Sequence, residues 1–193
     1  MHPEKESFHA LTIKDWHKWL EANYRKSSGV WLITYKKHTG KPRIEYEEAV
    51  EEALCFGWID SKTRKMDDEK GMLWFSPRKP KSGWSRSNKE RIEKLQNENR
   101  LTEYALELVE AAKKDGSWNK LDDVYNLVIP SDLEKEFSKY ERARSNFENF
   151  PVSVKRGILG WIIQAKTEKT RKKRLEETAR LAEDNIRAHQ WKK

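Results

Sequence analysis

The chain has 193 residues, 36% of them hydrophobic and 37% charged, with a net charge of +8. That length fits one domain, or one domain with a small appendage. Nine tryptophans exclude a disordered chain, because each buries a large area and disordered segments avoid aromatics.

The N-terminal stretch MHPEKESFHAL has no apolar run of the kind a signal peptide needs. No segment approaches the roughly 20 apolar residues of a membrane span. The single cysteine, Cys55, excludes an intrachain disulfide and reads as a reduced, buried small hydrophobe. Together these features predict a cytoplasmic protein.

Thr12-Ile-Lys-Asp15 has the spacing of a capping box, with Leu11, Trp16, Trp19, Leu20 and Tyr24 at helical intervals behind it. Residues 30–35, VWLITY, are β-branched and aromatic and predict a strand. Residues 37–43 predict a loop. Tyr46, Ala49, Val50, Ala53 and Leu54 share one helical face, and Gly57 is placed to end that helix. A hairpin follows, with strands over 58–66 and 72–76 and a turn over 67–71. Residues 77–83 hold two prolines and a glycine and predict a loop. Ser85 or Ser87 is placed to cap a helix over 89–99, and a second helix is expected over 102–114.

Residues 117–130 are polar and irregular, a soft division between a mixed region, 1–120, and a helical region, 121–193, that is expected to pack on it as one compact unit. In the second region Pro130-Ser131 with Glu134 opens a helix, residues 154–165 form an apolar one, and 168–189 form a long one. Leu175, Ala179, Ala182 and Ile186 give that last helix one narrow apolar stripe. The fold class predicted is α+β: a small antiparallel sheet of about three strands, surrounded by helices, with a helical C-terminal region.

The positive charge is local. Residues 62–91 carry ten Lys or Arg against four Asp or Glu, and residues 166–174 carry six against one. Such potentials favour phosphate, carboxylate or nucleic-acid partners. The loop at 76–88, SPRKPKSGWSRSN, runs directly into a helix N-terminus, where free N–H groups and the helix dipole attract anions. Here Arg78 is placed to grip an anion bidentately, with Lys79 beside it, and Ser82 and Ser85 to donate hydrogen bonds. Trp58 and Trp84 are candidates to stack on a planar ring. Asn88 closes the segment. Asp60 and Arg64, four apart on the first hairpin strand, are expected on one face by its period of two. They are placed to orient Arg78 or to serve acid–base chemistry. On a helix Lys166, Lys169, Thr170 and Lys173 share a face that suits phosphates, although a solvated face is the simpler reading of a basic run.

Metal chemistry has no support: the five histidines are scattered and no CxxC occurs, so neither a metal nor a cofactor is expected. Three function classes stay open. The first is a binder of an anionic, phosphate-bearing small molecule, the second a nucleic-acid binder using both basic segments, and the third an enzyme using Asp60 with Arg64 or Arg78.

The blocks ALCFGWIDS (53–61), WFSPRKPKSGWSRSN (74–88), DGSW (115–118), IPSDL (129–133) and IIQAKTEKTRKKR (162–174) resemble the YdeI/OmpD-associated family, also labelled bacteriocin-protection protein. The resemblance runs from about Trp16 to Arg187. It implies a role in envelope stress, in protection against cationic antimicrobial peptides or in association with a porin. It transfers no catalytic residues.

Overall fold

A computed structural model describes residues 6–189; residues 1–5, with His2 and part of the N-terminal segment considered above, lie outside the described residues, as do 190–193. The chain divides into two compact units at the Asn119/Lys120 junction.

The first unit begins with a short strand, β1 (Ser7–His9), and then α1 (Ile13–Asn23). The capping box is present: Thr12 Oγ1 accepts from the Asp15 amide at 3.2 Å, and the Asp15 carboxylate accepts from the Thr12 amide at 2.9 Å. Strand β2 (Val30–Tyr35), helix α2 (Tyr46–Cys55), strands β3 (Trp58–Lys65) and β4 (Lys70–Pro77), and helices α3 (Arg86–Asn97) and α4 (Glu103–Lys114) follow. Gly57 ends α2 with φ +73, and a Cβ there would meet Leu108 Cδ1 at 2.6 Å. The β3–β4 turn is held by Asp67, whose Oδ1 accepts from the amides of Glu69 at 2.8 Å and Lys70 at 2.6 Å.

Among the described residues the sheet has four strands in the order β1-β2-β4-β3. The hairpin and β2 pair antiparallel, as expected, but β1 adds a parallel edge beside β2. Three residues are too few for a periodic signal. Trp16 and Trp58 are fully buried with Leu20, Leu32, Leu54 and Phe75 on the helix-facing side of the sheet. Trp19 stacks on Trp16 and sets its edge against Trp58. The tryptophans therefore supply the apolar volume that the charged composition withholds.

The second unit is helical: α5 (Asp122–Tyr125), α6 (Ser131–Phe137), α7 (Ala143–Asn149), α8 (Val152–Ile163) and α9 (Glu168–Glu183). Its core gathers Leu133, Phe137, Phe147, Ile158, Ile162 and Ala179. Helix α9 is shorter than the 168–189 expected. Asn185 turns left-handed at φ +55 and the Ile186 amide donates to Leu181 O at 2.8 Å, which closes the helix end. Ile186 is consequently exposed rather than part of the apolar stripe. Helices α5 and α7 are too short to show a period and were not expected.

Much of the second basic segment is tied into its own unit. Arg171 grips Asp132 with Nε at 2.6 Å and Nη2 at 3.0 Å, and Arg174 donates to Trp161 O while lying over its ring. The bonds from Arg171 hold the Asp132 carboxyl below the usual carboxylate range. A lowered native pKa gives stability that is complete above the unfolded value near 4 and is lost as pH falls through the native value. As the pH falls below about 4, amide exchange in α6 and the first turns of α9 is expected to accelerate in the wild type. In Asp132→Asn the exchange should already be faster at pH 7, and should change less over that window. Equal pH dependence in the two proteins would refute the assignment.

Candidate functional site

Cross-strand partners share a face of a sheet, so the register sorts the strand residues. Val30 pairs with Phe75, and Leu32 with Leu73, on the helix-covered side. Trp31 pairs with Trp74, and Ile33 with Met72, on the other side. On β3 the register slips: Asp60 stands opposite Phe75, whereas Lys62 stands opposite Trp74. Two steps on β3 match one on β4, so Ser61 is the extra residue of a β-bulge.

The bulge corrects the expectation for Asp60 and Arg64. Period-two alternation breaks at Ser61, leaving Asp60 on the helix side and Arg64 on the opposite face. Asp60 accepts from the Tyr46 hydroxyl at 3.0 Å. Burial, then the Asp60 charge, raises the Tyr46 pKa. The pairing on which the enzyme reading depended is absent from the described residues.

Three expected ligand-facing residues are structural. Trp58 is fully buried and its Nε1 donates to Tyr24 O at 3.0 Å, so no ring face is left for a ligand. Arg78, 7% exposed, lies 3.5 Å from the Trp84 ring centre. Its Nη2 donates to Gly83 O at 2.7 Å and to Ser82 O at 3.3 Å. The guanidinium thus props the 79–84 loop from within rather than gripping an anion, and burial pushes its pKa down to about 10. Trp84 is buried between Arg78 and Trp118.

The helix N-terminus is likewise occupied by its own chain. Ser85 Oγ accepts from the Asn88 amide at 3.2 Å, and Asn88 Oδ1 accepts from Arg91 at 2.7 Å. Arg91 also pairs with Glu47 at 2.7 Å, tying α3 to α2. Ser82 donates to Lys79 O at 2.6 Å and shapes the loop, whereas the Lys79 side chain is exposed. Cys55 is buried and its thiol is pushed up to about 12 by that burial, which makes it a poor nucleophile.

What the loop and the outer sheet face build together is a cleft of about 710 Å³. Trp74, Ile59 and Pro77 line it from the sheet, and Arg78, Lys79 and Gly83 from the loop. Lys62 and the hydroxyl-bearing Ser28, Ser61, Ser76 and Ser82 complete it; among the described residues its lining holds no carboxylate. Gly29 seats the indole: a Cβ there would come within 2.3 Å of Trp74 Cζ2. Arg78, Lys79 and Ser82 are the parts of this cleft that sequence reasoning singled out, although Arg78 is a buried prop at its margin; Trp74, Lys62 and Ser61 were missed as site residues. The signal for Trp74 was present, as the middle ring of a basic segment, but its partners depend on a bulge.

These features define a class: a small α+β protein in two units, whose sheet turns an aromatic and cationic face away from its helices. Comparison with known families places it further. The family described as Domain of unknown function (DUF8412) matches residues 8–108, just over half of the chain, and the chain belongs to it. Residues 126–185 match the family described as Bacteriocin-protection, YdeI or OmpD-Associated, which covers most of the helical unit. The blocks at 129–133 and 162–174 thus carry the YdeI/OmpD-associated match, and those at 53–61 and 74–88 fall in the first family. No curated protein and no solved structure matches the chain. Among the described residues, no helix is long and apolar enough to cross a membrane.

Proposed function

We propose that the first unit binds a phosphate-bearing, nucleotide-like small molecule in the cleft over Trp74. The observation that carries this is the composition of the cleft: one half-buried indole, two lysines, one largely buried arginine, four serines and no carboxylate among its described lining. Lysines and hydroxyls suit phosphate oxygens, and the indole suits a planar base. The cleft lies within the usual size range of small-molecule sites. A single cysteine supports a reducing, cytoplasmic setting.

Titrating the intrinsic fluorescence with nucleotides and phosphorylated metabolites tests the proposal. At least one is expected to bind, and Trp74→Ala should weaken it by about tenfold or more, as loss of a base–ring stack does. No response across the panel, or full affinity in Lys62→Ala/Lys79→Ala, would refute it.

A second reading is a stress-protection role, favoured by the match of residues 126–185 to a family described as bacteriocin-protection. It predicts that a strain lacking this protein becomes more sensitive to bacteriocins or polymyxin. Unchanged killing curves would count against it.

A further inference from the structure

The cleft is one end of a longer surface. Rungs of paired residues cross the outer face of the sheet: Ser7, Trp31, Trp74 and Lys62 form one, and His9, Ile33, Met72 and Arg64 the next. Tyr35 continues the row, with Lys41 Nζ at 4.9 Å and Lys70 Nζ at 5.3 Å from its ring centre. Trp31 and Trp74 meet edge to face at 5.3 Å. The apolar and aromatic middle of the face is thus bordered by cations on three sides: Lys79 at the loop end, Lys62 and Arg64 along β3, and Lys41 with Lys70 at the far end.

The spacing along β3 is regular. Lys62 and Arg64 are both exposed and lie two residues apart on one face, about 6.6 Å in strand geometry. That is of the order of the step between successive phosphates in an extended single strand. The strand residues on this face include no Asp or Glu; at the far end Lys41 is paired with Glu69 at 2.7 Å, so the positive border is chiefly that of Lys62 and Arg64 on β3.

We propose that this face binds single-stranded nucleic acid, with the backbone running along Lys79, Lys62 and Arg64 and bases laid over Trp74 and Trp31. The proposal rests on the nucleotide reading of the cleft and extends it from one nucleotide to several. Flat aromatic platforms edged by cations bind single strands with little sequence preference, because every base offers a ring face. A duplex fits poorly, since its bases are stacked on one another and cannot reach the indoles.

Fluorescence anisotropy with fluorescein-labelled dT12 and rU12 tests it on the full chain, with a 12-base-pair duplex as competitor. Both single strands, or one of them, should bind well ahead of the duplex, and the ratio of rU12 to dT12 affinity tells which nucleic acid is preferred. Lys62→Ala/Arg64→Ala sits on an exposed edge and should fold normally by circular dichroism. It should lower the slope of log affinity against log salt by about 1.4, as the loss of two phosphate contacts on a single strand does. Trp31→Ala should weaken oligonucleotides about tenfold while leaving a mononucleotide in the cleft unaffected. Equal affinity for duplex and single strand, or an unchanged salt slope in the double variant, overturns the proposal. If a mononucleotide binds and neither oligonucleotide does better, the strand proposal fails and the cleft reading stands. If oligonucleotides bind and no mononucleotide does, the cleft reading fails instead, and silence from every probe removes both.

Discussion

Replacing Trp16 with alanine is expected to unfold, or nearly unfold, the first unit. The side chain is fully buried, its Nε1 donates to Ala49 O at 3.1 Å, and its ring packs against Trp19 and Phe75 at 5.4 and 5.1 Å. Truncation leaves a large cavity and an unpaired carbonyl inside the layer joining α1, α2 and the sheet. Buried aromatic-to-alanine changes cost about 3–5 kcal/mol, a large part of the 5–15 kcal/mol that holds a typical domain together. Urea unfolding followed by circular dichroism should show the midpoint falling steeply or the transition lost. Trp16→Phe keeps most of the ring but drops the indole donor, so it should fall between the two. A midpoint within error of the wild type in Trp16→Ala would mean that the packing described for this core is wrong.

The second large effect is expected at Arg78. Its guanidinium binds two loop carbonyls and lies against Trp84, largely buried at the margin of the cleft. Arg78→Ala removes both donors and leaves the carbonyls of Ser82 and Gly83 without them. The cost is on the order of 2–4 kcal/mol, combining lost charged hydrogen bonds with a lost ring contact. Arg78→Lys should rescue little, because an ammonium can reach those carbonyls but lacks the planar guanidinium face that lies over Trp84. Thermal melting should show both variants destabilised, with Lys only slightly better than Ala. Any loss of ligand affinity should accompany loosening of the 79–84 loop, detectable as faster proteolysis or faster amide exchange there. A stable Arg78→Ala protein with an ordered loop and abolished ligand binding would instead make Arg78 a direct ligand contact.

Arg78 also shows where sequence and structure diverge. Loop, charge and helix start were all legible: the two prolines and glycine make the loop, and Ser85 caps α3 as expected. The direction of the guanidinium was not legible, because it depends on which carbonyls the loop turns inward. The same holds for Trp58 and Trp74. Both are strand tryptophans in one aromatic segment, and only the pairing of β2, β4 and β3 sends one into the core and the other to the outer face. Elements with long periodic patterns, such as α1, α2, α4 and the hairpin, could be read directly. Strand β1 and helices α5 and α7 could not, since three to seven residues hold no period. The end of α9 was overrun because Ile186 fits the apolar stripe, while a left-handed Asn185 decides the stop.

The bulge at Ser61 bears on how related sequences are to be compared. A relative with one residue fewer there would keep Lys62 and Arg64 on the outer face. One of the same length whose strand ran without the bulge would send both towards the helices and turn Thr63 and Lys65 out. Two chains identical at these positions can therefore present opposite electrostatic faces. In this sheet a cation's address is fixed by how many residues precede it in the ladder, and an alignment of letters alone does not record that count.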